Sequence, residues 1–236
     1  MLSIIIPTLN EEDYLPNLLE SIKNQEFNDY EIIIADAGSR DKTRIIAKKF
    51  GCKIVKGGTP AKGRNAGAKT AKGSPLLFLD ADVVLKNKSL KKVLKEFKKK
   101  KLKIATFFLL PSGKKKTPKF LFTFFYNLPL FLIGKILPHA AMGILVDKKL
   151  FLKLGGFDEE VFLAEDHDLA RRAKKLGKYG IIKSSPIYVS DRRFREEGWL
   201  KTGVKYLLCE GHMILIGPVR KDLFKYTFNH LKNKKK

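Results

Sequence analysis

The sequence predicts an α/β protein, one domain built on a mainly parallel sheet with helices on both faces. Short β-branched apolar runs alternate with segments whose apolar residues recur at helical spacing, the pattern of repeated strand–helix units. The chain has 236 residues, 44% hydrophobic and 31% charged, enough for one full core. One fully apolar run, Leu76–Leu79, ends abruptly in Asp80-Ala81-Asp82. Acids there stand at the carboxyl edge of a sheet, where open α/β folds hold ligands.

Taken in order, residues 2–7 form a first strand and residues 31–35 a second. Between them Leu15, Leu18, Leu19 and Ile22 mark one face of a helix that Pro16 starts or kinks. The loop Asp36-Ala37-Gly38-Ser39-Arg40-Asp41 precedes a helix over 43–50, with Ser39 or Asp41 as its cap and Gly51 as its stop. A strand is expected over 52–55 and a small-residue helix over 63–71. After Leu76–Leu79 come a helix marked by Leu90, Val93, Leu94 and Phe97, and a strand over 104–110. Beyond an insertion, residues 142–146 read as strand and Phe151 and Leu154 belong to a short helix. The run 162–176 reads as a helix ended by Gly177, 181–189 as strand and 199–208 as helix.

The regular pattern breaks at about 111–138. A basic stretch leads into residues 120–134, fifteen uncharged residues interrupted by Pro129 and flanked by Lys119 and Lys135. Fifteen is below the roughly 20 residues that cross a bilayer. Three readings stand: a buried core hairpin, a segment lying in the membrane interface, or a span. The aromatic density beside lysines favours the interface. A second apolar patch at 213–216, followed by the basic end 232–236, offers another anchor within a tail of 211–236, leaving 1–210 as a single domain.

Lysine and arginine number 48 against 24 acids, a net charge of +24. That balance points to a polyanionic partner, whether nucleic acid, an anionic membrane surface or phosphorylated substrates. The two cysteines, Cys52 and Cys209, build neither a disulfide framework nor a cysteine zinc site, which suits a reducing cytosol. The opening residues lack the basic lead and long apolar run of a secretory signal.

Asp80 and Asp82 repel each other unless a positive group lies between them, and a divalent cation carrying phosphates fills that role. The alternative is a solvated turn. Five other features accompany the pair in order: Pro7-Thr8-Leu9-Asn10-Glu11, Asp36 with Gly38-Ser39, Gly63-Arg64-Asn65 with Gly67, Gly155-Gly156-Phe157-Asp158, and Glu165-Asp166. The set resembles a family-2 glycosyltransferase of the GT-A fold over roughly residues 2–180.

The resemblance implies roles at the matching positions. Pro7, Thr8, Asn10, Glu11, Asp36, Gly38, Ser39, Arg64, Asp80 and Ala81 would line the nucleotide-sugar pocket. Within it, Glu11 would accept from ribose hydroxyls, Asp36 from a base N–H, and Arg64 would hold a carboxylate or phosphate. Asp82, with Asp80, would bind Mg²⁺ or Mn²⁺ bridging the donor diphosphate. Asp166 would be the general base of an inverting transfer, with Glu165 shaping the site beside it. Arg192, Arg193 and Arg195 would contact diphosphate or acceptor, although the family's Gln-x-x-Arg-Trp motif is absent, so no processive-synthase role is carried over. His139 is either structural or touches metal or acceptor, and His167 is equally open.

These features lead to a cytoplasmic, metal-dependent enzyme at the inner face of the cell membrane, transferring sugar from a nucleotide-diphosphate donor to a hydroxyl or a lipid phosphate of a lipid or glycan acceptor. Residues 120–137 and the basic tail would touch the anionic surface. A sugar nucleotidyltransferase would carry a Gly-rich loop after the first strand, where PTLNEE stands instead. A nucleic-acid-binding protein is suggested by charge alone, and no binding motif supports it.

Overall fold

A computed structural model describes residues 1–113, 120, 123–134, 136–190, 192 and 198–223, with the backbone alone at 124, 125, 199 and 200. The strands are β1 (Leu2–Thr8), β2 (Tyr30–Asp36), β3 (Lys53–Lys56), β4 (Leu76–Leu79), β5 (Val83–Leu85), β6 (Ile104–Pro111), β7 (Gly143–Val146) and β8 (Tyr179–Val189). The α-helices are α1 (Leu15–Lys23), α2 (Thr43–Lys49), α3 (Pro60–Thr70), α4 (Leu90–Lys99), α5 (Leu128–Ile133), α6 (Lys148–Lys153), α7 (Glu165–Leu176) and α8 (Trp199–Leu215).

All eight strands form one sheet in the order β3-β2-β1-β4-β7-β6-β8-β5. The first four are parallel, as are β6 and β8, whereas β7 runs antiparallel to both β4 and β6, and β5 antiparallel to β8. The sheet is therefore more mixed than strand–helix alternation predicts. Only Asp80, Ala81 and Asp82 separate β4 from β5. A parallel crossover needs about a dozen residues, so β5 leaves the line of β4 and pairs with β8.

Alternation along β1 divides the core. Leu2, Ile4 and Ile6 pack with Leu15, Leu18, Leu19 and Ile22 of α1 on one face of the sheet, while Ile5 joins the cluster of Phe78, Phe151, Phe157 and Leu169 on the other. Helix α3 closes on β1 at Gly67, where a Cβ would meet Ile5 Cγ2 at 2.4 Å.

Several boundaries differ from expectation. Pro60 opens α3 three residues early, a position that suits its fixed φ and missing donor. Helix α7 starts at Glu165 because the N–H groups of Phe162 and Leu163 donate to Val219 O, at 2.7 and 3.4 Å, and Ala164 is left-handed at φ 62°. Helix α8 runs to Leu215 rather than 208.

The insertion is helical, not a hairpin: a π-helical turn at Thr123–Asn127 leads into α5. Asn127 clamps it to β6, donating from Nδ2 to Leu109 O (2.8 Å) and accepting from Leu109 N (2.9 Å), where the β6–β8 register shifts. Leu130 is buried, but Phe120, Phe131, Leu132, Ile133 and Ile136 are exposed. The span reading is not met, since among the described residues no helix is long and apolar enough to cross a membrane. The basic end 232–236 lies outside the described residues.

Candidate active site

The carboxyl ends of β1, β2 and β4 bring the predicted residues to one edge of the sheet. Thr8 and Asp36 are register partners there, and Thr8 Oγ1 donates to Asp36 Oδ2 at 3.3 Å. Asp36 Oδ1 accepts from the N–H groups of Gly38 and Ser39, each at 3.1 Å, and Ser39 Oγ donates to Asp36 Oδ2. Gly38 sits at φ 95°, a conformation that glycine adopts without strain. The Asp36 carboxylate thus builds the loop after β2. Ser39 Oγ in turn accepts from Asn10 N (2.9 Å), and Asn10 Oδ1 accepts from Arg40 N (2.9 Å). These bonds join the two loops into one rim. Neither expected cap serves α2 in the usual way: Asp41 Oδ1 accepts from Thr43 N and its Oδ2 from Glu12 N, both at 3.0 Å.

Pro7 lies under this rim, its Cβ 3.4 Å from the place a Cβ on Gly63 would take, so α3 approaches β1 closely. Ala81 is buried between the two aspartates. The strand end itself is held from both sides: Asp80 N donates to Met142 O at 3.3 Å, and Ser190 N to Asp82 O at 3.1 Å.

Two arginines organise the acids. Arg64, on α3, is buried and reaches Asp80 Oδ1 at 2.7 Å with Nη2 while Nη1 pairs with Glu165 Oε1. Its guanidinium also lies 5.3 Å from the centre of the Phe157 ring. Burial disfavours its charge, but Asp80, Glu165 and Asp166 outweigh that and raise its pKa. In this structure Arg64 ties carboxylates together; it is the brace between the end of β4 and the start of α7.

Arg192 is the second. It forms a fork with Glu11, at 3.0 and 3.2 Å, approaches Asp82 Oδ2 at 3.4 Å and stacks 4.3 Å from the centre of the Tyr14 ring. Burial raises the pKa of Glu11, opposed by Arg192. Arg193 and Arg195 lie outside the described residues.

The Gly-Gly-Phe-Asp loop is fixed to α3 by Asn65. Its Nδ2 donates to Phe157 O (2.9 Å) and its Oδ1 accepts from Phe157 N (2.9 Å). A Cβ on Gly156 would stand 2.5 Å from Asn65 Oδ1. Arg172 adds bonds from Nη1 to Leu154 O (3.1 Å) and Nη2 to Gly156 O (3.0 Å).

Glu165, Asp166 and Asp168 occupy the first turn of α7, where the helix dipole favours acids. Glu165 caps nothing, being committed to Arg64, while Asp166 Oδ1 accepts from His167 N at 2.9 Å. Burial, with Glu165 beside it, pushes the Asp166 carboxyl up to about 6, against the pull of His167 and Arg64. A base of that pKa is poised for proton transfer near neutrality.

Behind Asp166 lies a chain that the sequence did not announce. His167 Nε2 is 3.9 Å from Asp166 Oδ1, its Nδ1 is 3.0 Å from Glu210 Oε2, and Arg171 Nη2 donates to Glu210 Oε1 at 2.6 Å. Burial disfavours the His167 charge, yet Asp166 and Glu210 prevail and raise its pKa. His139 lies next to it with ring centres 5.4 Å apart. Burial and His167 hold His139 down at about 4, so it is neutral at pH 7. Nothing in the pattern around Glu210 singles it out, since α8 meets α7 only through tertiary packing.

Hard oxygen donors suit Mg²⁺ or Mn²⁺, and Asp80 and Asp82 supply them at the end of β4. Among the described residues no group of three or more His, Cys, Asp or Glu side chains forms a metal cage. Such a donor set fits a cation completed by phosphate and water.

A model of glycosyl transferase family 2 matches residues 3–152. A Haemophilus influenzae protein named an uncharacterized glycosyltransferase is 31% identical over 182 residues, 71% of this chain and 60% of that protein. The poly(ribitol-phosphate) β-N-acetylglucosaminyltransferase TarS of Staphylococcus aureus is 34% identical over 99 residues, 38% of this chain but 17% of TarS. The chain thus spans less than two thirds of these relatives. Among solved structures, TarS 1-349 in complex with UDP-GlcNAc covers 98% of this chain and 77% of its own, with TM-score 0.65 and 21% identity. The mannosyltransferase PcManGT of Pyrobaculum calidifontis, in complex with GDP-Man and Mn²⁺, covers 91% and 64%, with TM-score 0.71 and 17% identity. These likenesses establish the shared fold.

Proposed function

The chain belongs to glycosyl transferase family 2 and has the GT-A fold, and from that premise we propose that it transfers a sugar from a nucleoside-diphosphate donor to an acceptor, with inversion. The observation that carries the reading is the Arg64 brace: it holds Asp80, at the end of β4, and Glu165, beside Asp166, to one guanidinium. Donor and acceptor sides of the site are thereby fixed to each other, and positioning of that kind is a large part of a two-substrate transfer.

Glu11, on the rim beside Thr8 and Asn10, would meet the ribose, and Asp36 and Ser39 would shape the base pocket. Asp82, with Asp80, would hold a divalent cation, which offsets charge developing on the leaving diphosphate. Arg192, already beside Glu11 and Asp82, carries a guanidinium that suits diphosphate oxygens. Asp166 takes the proton of an acceptor hydroxyl as that oxygen attacks the anomeric carbon. His167, held by Glu210, steadies the ionised form of Asp166. Uridine and guanosine diphosphate sugars are both candidates, and the acceptor is a glycan or lipid. The apolar outer side of the insertion and the charge of +24 support a site of action at the cytoplasmic face of the membrane.

A panel of UDP- and GDP-sugars with Mn²⁺ or Mg²⁺ tests the reading by following nucleoside diphosphate release. Turnover with at least one donor, lost in Asp82→Asn and Asp166→Asn, is expected. No donor binding or turnover in any combination would contradict it.

A further inference from the structure

The outward face of α8 is apolar along most of its length. Val204, Leu207, Leu208, Gly211, Ile214 and Leu215 follow i, i+3, i+4, i+7, i+10 and i+11, one side of a helix. The five side chains on it are exposed, from 46% at Val204 to 84% at Leu215. The opposite side is the buried one, where Cys209 and Met213 pack with Leu163 and Val219. A surface helix ordinarily turns its charged residues outward, so α8 is apolar on both sides.

The segment just past α5 reaches the same stretch of α7 as α8 does. Arg171 Nη1 donates to Met213 O in α8 (3.1 Å), and Lys174 Nζ, one turn on, donates to Ile136 O just past α5 (2.9 Å). Phe131, Leu132, Ile133 and Ile136 are exposed as well.

What covers this face follows from charge. A second copy would bring another +24 against it, and like charge of that size opposes self-association. Basic groups instead border the apolar residues: Lys183 Nζ lies 4.7 Å from the centre of the Phe131 ring, and Lys201 and Lys221 are exposed before and beyond the stripe, whereas Arg220 is paired with Asp158 and Glu160. Apolar residues rimmed by cations fit the interface of an anionic bilayer, where one modest apolar anchor holds when a basic patch assists. A span is not required: Val204 to Leu215 covers about 16 Å of axis at 1.5 Å per residue, which suits a helix lying in the plane.

We propose that the outer face of α8 docks on an anionic lipid bilayer. This deepens the membrane-surface clause of the proposed function by naming the element that makes contact. It also sets that surface near the site, because Glu210 of the same helix holds His167 beside Asp166.

The test uses the full chain, sedimented with vesicles of 70:30 phosphatidylcholine–phosphatidylglycerol or of phosphatidylcholine alone. The wild type is compared with Leu208→Glu/Leu215→Glu and with Lys91→Gln/Lys92→Gln, a control that lowers net charge equally on exposed positions of α4. Expected are sedimentation of wild type and control with anionic vesicles, and partitioning of the stripe variant reduced about tenfold or more. Any of three results overturns the proposal: no wild-type sedimentation at low salt, unchanged binding of the stripe variant, or light scattering that shows a dimer which the stripe variant dissociates. Thermal shift with nucleotide sugars, run on the same samples, separates the two readings. Vesicle binding without nucleotide binding would sink the transferase reading and leave the docking face standing.

Discussion

Arg64 Nη2 stands 2.7 Å from Asp80 Oδ1, while the same guanidinium pairs with Glu165. One buried cation thus compensates acids from two separate elements. Arg64→Ala leaves those carboxylates facing one another without it, and breaking a buried pair costs about 3–5 kcal/mol. Denaturant unfolding should show a loss of that order. Arg64→Lys should recover part of the stability but less of the rate, since a point charge cannot fork between two carboxylates. Unaltered stability of Arg64→Ala would remove the brace.

As the proposed base, Asp166 should give the rate a pH dependence. With its carboxyl pushed up to about 6, mainly by burial, the base form is lost as pH falls through that value. The rate should therefore rise along an acidic limb near pH 6. Both His167 and Arg64 hold the Asp166 pKa down, so His167→Gln should move the limb to higher pH. Asp166→Asn should lower kcat by about 10²–10⁴ if the acceptor is a hydroxyl, with donor affinity intact by thermal shift. A lipid phosphate acceptor, already anionic, should show a smaller loss.

Glu96 makes a separate pH prediction for stability. It accepts from Ser184 N (2.8 Å) and Lys183 N (3.1 Å) and pairs with Lys100, joining α4 to β8. Although burial opposes its charge, the Lys100, Ser184 and Lys183 bonds win and hold the carboxyl at about 2. A depressed folded pKa contributes stability above the unfolded value of 4.5 and loses it as pH falls toward 2. Glu96→Gln should thus be less stable than wild type by about 1 kcal/mol at pH 7, and the gap should close between those pH values in thermal melts.

Gly67→Ala tests the packing of α3 on β1. Its Cβ would stand 2.4 Å from Ile5 Cγ2, deep in the core. Overpacking of this kind costs about 1–3 kcal/mol, and because Gly67 is one turn from Arg64, the variant should lose activity along with melting temperature. A variant as stable as wild type would show that α3 shifts freely.

Much of the fold was legible because burial leaves a periodic trace. Leu15, Leu18, Leu19 and Ile22 read as one helix face, and all four are fully buried. The antiparallel entry of β7 and the edge position of β5 were not legible, since pairing partners are set by tertiary geometry and leave no mark within a four-residue run. The helix over 123–133 was hidden for another reason: aromatic apolar residues without alternation fit strand or helix equally. At the site, the acidic strand end and Glu165-Asp166 were visible as local motifs. Arg64 was expected to hold a carboxylate or a phosphate, and in the structure it holds two carboxylates, Asp80 and Glu165, the second 101 residues away in the chain. Glu210, one of the acids that hold His167, gave no signal at all.

In the proposed function the acidic end of β4 receives a cation carrying the donor diphosphate. Calorimetric titration of UDP and GDP into the wild type and Asp82→Asn, each with and without Mn²⁺, tests it most directly. Mn²⁺ should strengthen binding of one of these nucleotides to the wild type by about tenfold or more, a differential of about 1.4 kcal/mol, and Asp82→Asn should abolish this gain. Equal gains in both proteins, or none in the wild type, would contradict it.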